Sequence, residues 1–398
     1  MKKCLSFLLA LSMVLMSTGL AFAGSSMEFT GEQISLSLEQ AVTRMTTTGP
    51  AFASVLLTKD GNDAAAKGNF ELISGIKEAH DASKFAKQQL ENPELSEEEA
   101  AYYQSIAAAT AGYSLNNLTG KQATLAKEYY AQYAPIAYEA GINGIKSNVV
   151  KAYYGLLLSQ ENYRILKETT SIKKALLDNT NKKYNVGMVS RMEVLQAENA
   201  YASAKQTEDE ALTSLNTVKM SFNMAMNFDL MQNVKLTDPL VKVAGPSMDL
   251  DTAIASAKEN RNEIVTAKYN MDNADLKFSS VFAYPKNSAT YMSAKVQLDS
   301  MTLLYTTTLQ NVEMDLRKTF MEINDLANAI KVAQSTYANA KEYARLTQLQ
   351  YNAGMCTMTD LLSAQNTEEL ANMAVFAAIM NYDIAVYTFQ YNSKCGMM

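Results

Sequence analysis

Residues that interrupt helices are scarce in this sequence. Its 398 residues include only 16 glycines and 6 prolines, while alanine, leucine, methionine, lysine, glutamate and glutamine are abundant. These residue types favour helices over sheets. The hydrophobic fraction of 48% excludes intrinsic disorder, because it supplies enough apolar surface for a buried core. The composition therefore predicts a folded protein built from long helices.

Side chains that could perform chemistry are also few. The sequence has one histidine, His80, and three cysteines, and their spacing matches no metal-binding motif. We can assemble no set of nucleophile, base and orienting group, so we expect no enzyme activity, cofactor or metal. If one helix joins Cys356 to Cys395, the two thiols lie about 58 Å apart and form no disulfide.

The first residues predict export from the cytoplasm. Lys2 and Lys3 precede an apolar stretch, and Ala21-Phe22-Ala23 has the small-x-small pattern of a signal-peptidase site. We therefore predict a signal peptide over residues 1–23. Beyond it no apolar run approaches the roughly 20 residues of a transmembrane helix, so any membrane crossing would have to use β-strands. The formal net charge of −6 argues against nucleic acid as a partner.

The chain contains an internal repeat. The segment Tyr184-Asn-Val-Gly-Met188 recurs as Tyr351-Asn-Ala-Gly-Met355, and Leu38-Glu-Gln-Ala-Val42 resembles Leu250-Asp-Thr-Ala-Ile254. The offsets are 167 and 212 residues, so the first repeat holds about 45 additional residues between these motifs. We expect the first repeat over residues 24–228, a linker over 229–247 and the second repeat over 248–398.

Each Tyr-Asn-x-Gly-Met segment separates two helices with heptad spacing. We call the line of apolar heptad positions along one helix its seam. On the helix that precedes the second turn, the predicted seam is Leu316, Thr319, Ile323, Leu326, Ile330, Ala333, Tyr337 and Ala340. The predicted seam out of it is Leu370, Met373, Ala377, Met380, Ile384 and Tyr387. In repeat one the incoming helix is predicted over about residues 136–183, with Pro135 as its start or kink. Each repeat is thus predicted to be an antiparallel coiled-coil hairpin.

The two Tyr-Asn-x-Gly-Met turns and the Leu-Ser-Leu-Glu-Gln-Ala-Val segment at 36–42 resemble TolC and its relatives, the outer-membrane efflux proteins. The resemblance implies a mainly α fold in which two tandem hairpin repeats form a trimeric α-barrel. It implies a homotrimer in the outer membrane and periplasm, acting as a passive conduit for exported small molecules or proteins. A periplasmic adaptor and an inner-membrane pump would be its partners.

The resemblance also implies roles for particular residues. The hairpin tips that dock the adaptor would be Gly187 and Met188 in repeat one, and Gly354 and Met355 in repeat two. Glycine at these positions is equally expected in any tight helical hairpin.

A channel gate would consist of Tyr351, bonded to Glu193, together with Asp360, which narrows the mouth. The family's second narrowing aspartate and a gating arginine are replaced here by Ser363 and Cys356. The alternative for Glu193 and Asp360 is that they are ordinary surface charges.

One family feature is poorly represented in the sequence. Relatives carry two membrane-spanning β-strands in each repeat, and each strand needs about 9–11 alternating residues. Residues 292–299 alternate, but their apolar positions also fit a helix. We therefore expect the β-barrel strands to be reduced or absent. The alternative function is an extracytoplasmic helical scaffold that binds envelope or transporter partners without forming a pore.

Overall fold

The computed structural model of the protein describes residues 29–398, so the predicted signal peptide lies outside the described residues. Nine helices and two strands make up this part of the chain. In order they are β1 (Thr30–Leu36), α1 (Leu38–Met45), α2 (Pro50–Leu90), α3 (Glu97–Ala109), α4 (Leu118–Asn185), α5 (Arg191–Ala225), β2 (Gln232–Leu236), α6 (Leu250–Asn260), α7 (Asn262–Val281), α8 (Ala289–Asn352) and α9 (Met358–Asn392).

The two predicted hairpins are present. Helices α4 and α5 form the first and α8 and α9 the second, and each pair packs along its length. Helix α4 has 68 residues and α8 has 64, so each rod is roughly 100 Å long. Side-chain caps define where the return helices begin: Ser190 accepts a hydrogen bond from the Glu193 backbone N–H, and Thr357 accepts one from the N–H of Asp360.

Helix α4 is longer than the sequence predicts. Its first residue is Leu118, capped by Asn117, and Pro135 lies inside it rather than at its start. Proline within a helix removes one backbone hydrogen bond and costs about 3 kcal/mol. Packing offsets that cost here, because the following residues Ile136 and Ala137 are buried. Tertiary contacts thus carry the helix through a position where its local sequence favours an interruption.

The seam predicted on α8 is confirmed, since its members are buried or pack against the core. The seam predicted on α9 is only partly confirmed: Met380, Ile384 and Tyr387 pack against the core, but Leu370 is 66% exposed and the most buried positions lie in a different register. The buried apolar side chains of α9 are Met358, Leu361, Ala364, Ala371, Val375, Ile379, Tyr382, Val386 and Phe389. Helix α9 packs against both α8 and α4 and is apolar on most faces, so its sequence contains no single stripe that fixes the register.

Helix α9 also corrects the expectation that no apolar run could span a membrane. By length and composition it is long and apolar enough to do so, and it is the one such helix in residues 29–398. In the structure it packs between α8 and α4 and carries a fully buried carboxylate, Asp383. A core helix enclosed by its neighbours has the same apolar character as a membrane span.

The segment predicted as a linker is partly structured. Within it, β2 pairs in parallel with β1, with Ile34 opposite Val234 and Leu36 opposite Leu236. Further along, the backbone N–H of Val243 donates a 2.9 Å hydrogen bond to Asp383 Oδ1. Burial raises the pKa of Asp383 to about 6. The linker is therefore attached to the helical core at two places.

We expect Asp383→Asn to raise the melting temperature at pH 7. The pKa of Asp383 is about 6 in the fold and about 3.9 in an unfolded chain, so the folded state binds the proton more tightly. Folding stability from this group therefore rises as pH falls from about 6 to 4, by up to about 3 kcal/mol. Asparagine keeps an acceptor for Val243 N–H and cannot ionise.

Circular dichroism melts at pH 4, 5, 6 and 7 measure this effect. Asp81→Asn, at an exposed position of α2, is the control and should not reproduce the effect of Asp383→Asn. Equal pH profiles for wild type and Asp383→Asn would contradict the assignment.

The additional residues of repeat one form helix. Helix α2 has 41 residues where its counterpart α7 has 20, and α3 has no counterpart in repeat two. Residues 292–299, which alternate like a strand, lie within α8. Between residues 29 and 398 the only strands are β1 and β2, so the expected reduction in strands is confirmed.

Helix α4 is the centre of the molecule. Towards the glycine turns the helices lie in the order α5, α4, α9, α8, because α4 packs against both α5 and α9. Towards the opposite end the order is α2, α4, α7, α8. The main core lies between these helices, and a second, smaller cluster lies close to the turns. One end of the molecule therefore consists of two hairpin turns side by side.

Candidate functional site at the hairpin turns

The two hairpin turns have the same backbone structure. Gly187 and Gly354 have φ angles of 75° and 73°, which only glycine adopts without strain. After α4, the N–H of Met188 donates to Lys183 O at 2.8 Å; after α8, the N–H of Met355 donates to Gln350 O at 2.8 Å. These are the bonds of a Schellman motif. The glycines thus end both helices and reverse the chain.

The methionines that follow the glycines point into solvent. Met188 is 76% exposed and Met355 is 79% exposed. Val186 and Met192 next to the first turn are also exposed. Methionine adapts its shape to irregular apolar partners, so these side chains form a surface suited to docking. The docking role of Gly187, Met188, Gly354 and Met355 stays a prediction.

The structure brings Tyr351 and Glu193 together across the two hairpins. The Tyr351 hydroxyl at the end of α8 donates a 3.1 Å hydrogen bond to Glu193 Oε2 at the start of α5. Tyr351 is only 7% exposed, and Lys183 Nζ lies 4.9 Å from its ring centroid. Burial, together with the neighbouring carboxylate, raises the pKa of Tyr351 to about 12, so its hydroxyl stays protonated and able to donate.

Glu193 and Asp360 occupy equivalent positions in the two repeats but make different bonds. Asp360 Oδ2 accepts hydrogen bonds from its own N-cap residue, Thr357, at 2.9 Å from the backbone N–H and 2.6 Å from the hydroxyl. These bonds lower the pKa of Asp360. This reciprocal pairing of cap side chain and carboxylate is a capping box. Glu193 does not form the equivalent capping box with Ser190; its carboxylate accepts a hydrogen bond from Tyr351 instead. Only the first repeat therefore supplies a carboxylate for the contact between hairpins.

The residues that replace family gate positions have local roles. The Cys356 thiol donates to Thr347 O at 3.5 Å, which holds the turn against α8. Ser363 is exposed on α9, one turn beyond Asp360. The gate role of Glu193, Tyr351 and Asp360 stays a prediction; the structure supplies the contact between the first two.

An apolar cluster packs beneath the two turns, on the side that faces along the helices. Its buried members come from four helices: Leu176, Ala197, Tyr351, Met358 and Leu361. A cleft of about 750 Å³ lies above it, between the two turns, and Glu193 and Tyr351 line its wall. The bond between Tyr351 and Glu193 joins α8 to α5 beside this cleft.

Lys173 is a further bridging residue that the sequence analysis missed. It lies on α4, is only 3% exposed, and its Nζ donates to Gln365 Oε1 at 2.8 Å and Asn366 Oδ1 at 3.3 Å on α9. Burial lowers its pKa to about 8, partly opposed by Glu369. The sequence signal is a lysine at a seam position of a coiled coil, where a polar residue fixes register.

We expect Lys173→Met to raise the melting temperature at pH 7 and to remove a pH dependence. The lysine pKa is about 8 in the fold and about 10.4 unfolded, so its charge costs stability at neutral pH, and stability recovers as pH rises from 8 to 10. The effect is about 1–3 kcal/mol, reduced by the two amides that lose their partner.

Melts at pH 7 and pH 9.5 test this expectation. Lys174→Met, at the neighbouring exposed position, is the control and should leave the pH dependence unchanged. A wild type whose stability falls between these pH values relative to Lys173→Met would contradict it.

The single histidine lies away from the turns. His80 Nδ1 is 3.0 Å from the backbone oxygen of Tyr113, on the exposed surface of α2. In the described part of the chain, no three His, Cys, Asp or Glu side chains are placed to hold a metal ion.

A family model matches most of the chain. The model described as "Outer membrane efflux protein" matches residues 80–221 and 244–389, one segment in each repeat. A comparison with curated protein sequences found no match.

Several solved structures share the fold. The outer membrane protein VceC of Vibrio cholerae has a TM-score of 0.66 at 13% identity, over 91% of this chain and 97% of that one. The open-state MtrE outer membrane channel of Neisseria gonorrhoeae has a TM-score of 0.58 at 14% identity, over 91% and 90%. The CmeC channel of Campylobacter jejuni has a TM-score of 0.57 at 15% identity, over 69% and 67%.

Proposed function

Since the chain belongs to the outer membrane efflux protein family, we propose that it is the envelope channel component of a tripartite efflux or type I secretion system. It acts as a passive conduit for exported small molecules or proteins. It is exported to the outer membrane and periplasm, assembles as a homotrimer and is fed by a periplasmic adaptor and an inner-membrane pump. Members of this family are channels rather than enzymes.

The observation that carries this proposal is the hydrogen bond between Tyr351 and Glu193 at the hairpin turns. It joins the second hairpin to the first beside a cleft, at the one end where both hairpins reverse. A contact of this kind holds a mouth closed and is released when the hairpins separate. A purely structural helical protein would not need this hydrogen bond between the hairpins at their turns. The apolar coiled-coil contacts already stabilise each hairpin.

A trimer is supported by apolar side chains that one protomer leaves uncovered. Helices α5 and α8 are the two edges of the row near the turns, and both carry exposed large apolar residues. These are Met192, Leu195, Leu212 and Met224 on α5, and Met314, Met321, Val332 and Tyr343 on α8. The four on α8 lie within a sector of about 40° around the helix and form one exposed apolar face, of the kind that marks a protein interface. A closed ring of three copies pairs the α5 edge of one with the α8 edge of the next.

Adaptor docking is supported by the paired turns. Their exposed methionines repeat once per hairpin, so a trimer presents six similar docking points around its mouth. Adaptor subunits that contact two neighbouring turns gain affinity from both contacts.

Light scattering after size-exclusion chromatography and planar-bilayer recording test the proposal. We expect a trimer of high helix content that conducts ions and closes reversibly. A strictly monomeric mass in native conditions, or a trimer that inserts without ever conducting, would contradict it.

The second candidate is the helical scaffold without a pore. One observation favours it: α8 begins at Ala289 and continues without interruption through the segment that alternates like a strand. A scaffold washes from envelope membranes with salt or high pH, whereas a channel component needs detergent. Extraction without detergent, together with absent conductance, selects the scaffold.

A further inference from the structure

Three sulfur-containing side chains line the cleft between the two hairpin turns. They are Met188 of the first turn and Cys356 and Met358 of the second. Thioether and thiol sulfur atoms are the ligands that soft metal ions prefer. We propose that this cleft binds a soft monovalent cation, of the class of Cu(I) and Ag(I), held by these three sulfur atoms. The inference rests on the proposed conduit and names a class of cargo for it.

The two sulfur side chains of the second turn lie close together. Thr357 between them has extended backbone angles, φ −83° and ψ 163°, so the side chains of Cys356 and Met358 leave the chain on the same side. Their Cα atoms are at most about 7 Å apart. Both side chains pack in the apolar cluster beneath the turns, where Met358 is only 1% exposed. The second turn therefore supplies a pair of sulfur ligands.

The third sulfur atom comes from the opposite wall of the cleft. Met188 follows Gly187 and is 76% exposed. Its thioether ends an unbranched side chain with three rotatable bonds, so it can turn towards an ion without disturbing any packing. The hydrogen bond from Tyr351 to Glu193 keeps the two turns side by side. All three sulfur atoms can therefore reach one ion in the cleft.

The internal repeat shows that the turn structure does not require sulfur at these positions. The residue equivalent to Cys356 in the first turn is Val189, and the one equivalent to Met358 is Arg191. Both turns nevertheless have the same glycine conformation and the same closing hydrogen bonds. The Cys356 thiol makes a long hydrogen bond of 3.5 Å to Thr347 O, and a thiol is a weak donor. Its sulfur is therefore available to a ligand.

The ligands of harder metal ions are not grouped in the described residues. There, no three histidine, cysteine, aspartate or glutamate side chains are placed to hold a metal ion, whereas thioethers supply two of the three ligands in the cleft. Partial burial, together with the charge of Asp360, raises the pKa of the Cys356 thiol. The thiol is therefore protonated at neutral pH and gives its proton to solvent when the metal–sulfur bond forms.

An ion in this cleft lies beside the contact between the hairpins, because Glu193 and Tyr351 line the same cleft as the sulfur atoms. Conduction requires a site that binds strongly enough for the ion to enter and weakly enough for it to leave. A site that takes one of its three ligands from a mobile, exposed methionine meets both conditions. The cleft is therefore suited to an ion in transit.

Silver titration of the full-length protein tests the site, because Ag(I) is a soft ion that needs no reductant. With Cys4 and Cys395 changed to serine, Cys356 is the one thiol of the chain. Calorimetry should then show one Ag(I) bound per protomer, and Cys356→Ser should abolish this binding. Met188→Leu and Met358→Leu nearly conserve side-chain volume. Each should weaken binding at least about tenfold, since loss of even an outer-shell partner of a metal ligand costs that much.

Met192→Leu is the matched control. Met192 is 67% exposed in the first turn of α5 but lies outside the cleft, so its replacement should leave the Ag(I) affinity unchanged. Circular dichroism melts verify that every variant folds. If Met188→Leu and Met358→Leu bind Ag(I) as tightly as the parent, the thiol binds alone and the inference is overturned. Equal weakening by Met192→Leu would overturn it as well.

Planar-bilayer recording in nitrate solution separates this inference from the proposed conduit. Ag(I) added on the side of the turns should change the conductance of the wild type and leave that of the Met188→Leu, Cys356→Ser protein unchanged. A channel that conducts normally but binds no Ag(I) overturns the inference and leaves the conduit intact. A protein that never conducts overturns the conduit and, with it, the cargo role of the cleft.

Discussion

Tyr351→Phe is expected to give a channel that stays open far longer than the wild type, with nearly unchanged thermal stability. The change removes only the hydroxyl that bonds Glu193. A hydrogen bond to a charged acceptor contributes about 1.5–3 kcal/mol, and about 1.4 kcal/mol is a tenfold change in population. Three copies of the bond around a trimer therefore shift the equilibrium between closed and open states by at least an order of magnitude.

The repeat itself supplies a matched control. Tyr184 is the equivalent residue of the first turn and is exposed. Tyr184→Phe should leave the conductance unchanged in the same planar-bilayer recording. Glu193→Gln should reproduce the Tyr351→Phe result in part, because the amide oxygen still accepts a bond but carries no charge. Equal conductance for Tyr351→Phe and wild type, with normal insertion, would contradict the gate.

Asp360→Asn tests whether cation selectivity and closure of the channel at the hairpin turns depend on different residues. If a ring of three aspartates attracts cations, the substitution reduces cation selectivity without opening the channel. The bonds from Thr357 to Asp360 make the carboxylate part of a helix cap as well, so a small loss of stability is also expected.

The second large effect is expected at the turn glycine of repeat two. Gly354→Val places a β-branched residue at a φ of 73°, which costs at least about 1–2 kcal/mol locally. The turn must rearrange, so the Schellman bonds and the position of Met355 are lost. Because the rest of α8 and α9 is held by the seams, circular dichroism should show an unchanged helix content. Transport should be abolished if the turn docks an adaptor.

Another glycine is the control for this substitution. Gly155 lies within α4, where no neighbouring atom approaches within 4 Å of an added Cβ, and its φ is not positive. Gly155→Ala should raise stability by about 0.5–1 kcal/mol and leave transport unchanged. If Gly354→Val lost helix content along the whole hairpin, the turn would be part of the folding core rather than a local docking element.

Much of the candidate site follows from the sequence because its signals are local. The repeated Tyr-Asn-x-Gly-Met segments predicted both turns, since a glycine with positive φ is needed wherever a helix ends and reverses. The α8 seam was readable because α8 carries one apolar stripe of heptad spacing. The pairing of Tyr351 with Glu193 came from the family resemblance, as 158 residues separate them and no local pattern links them.

Other features depend on which helices become neighbours. Helix α9 is apolar on most faces, so only its packing against both α8 and α4 selected the buried register. Pro135 stands inside α4 because buried contacts on both sides outweigh the lost hydrogen bond. Lys173 appears in the sequence as one lysine among many, and only the packing of α4 against α9 buries it between two amides.

The sequence by itself therefore determined what depends on period and backbone conformation: the helical class, the repeat, the two turns and one seam. The tertiary structure decided the α9 register and the bridges at Tyr351 and Lys173. The spacing of apolar residues and the residue types that favour turns depend on hydrogen bonds and steric contacts between residues a few positions apart. Burial and charge pairing depend on distances between segments remote in sequence, and these exist only once the helices have packed.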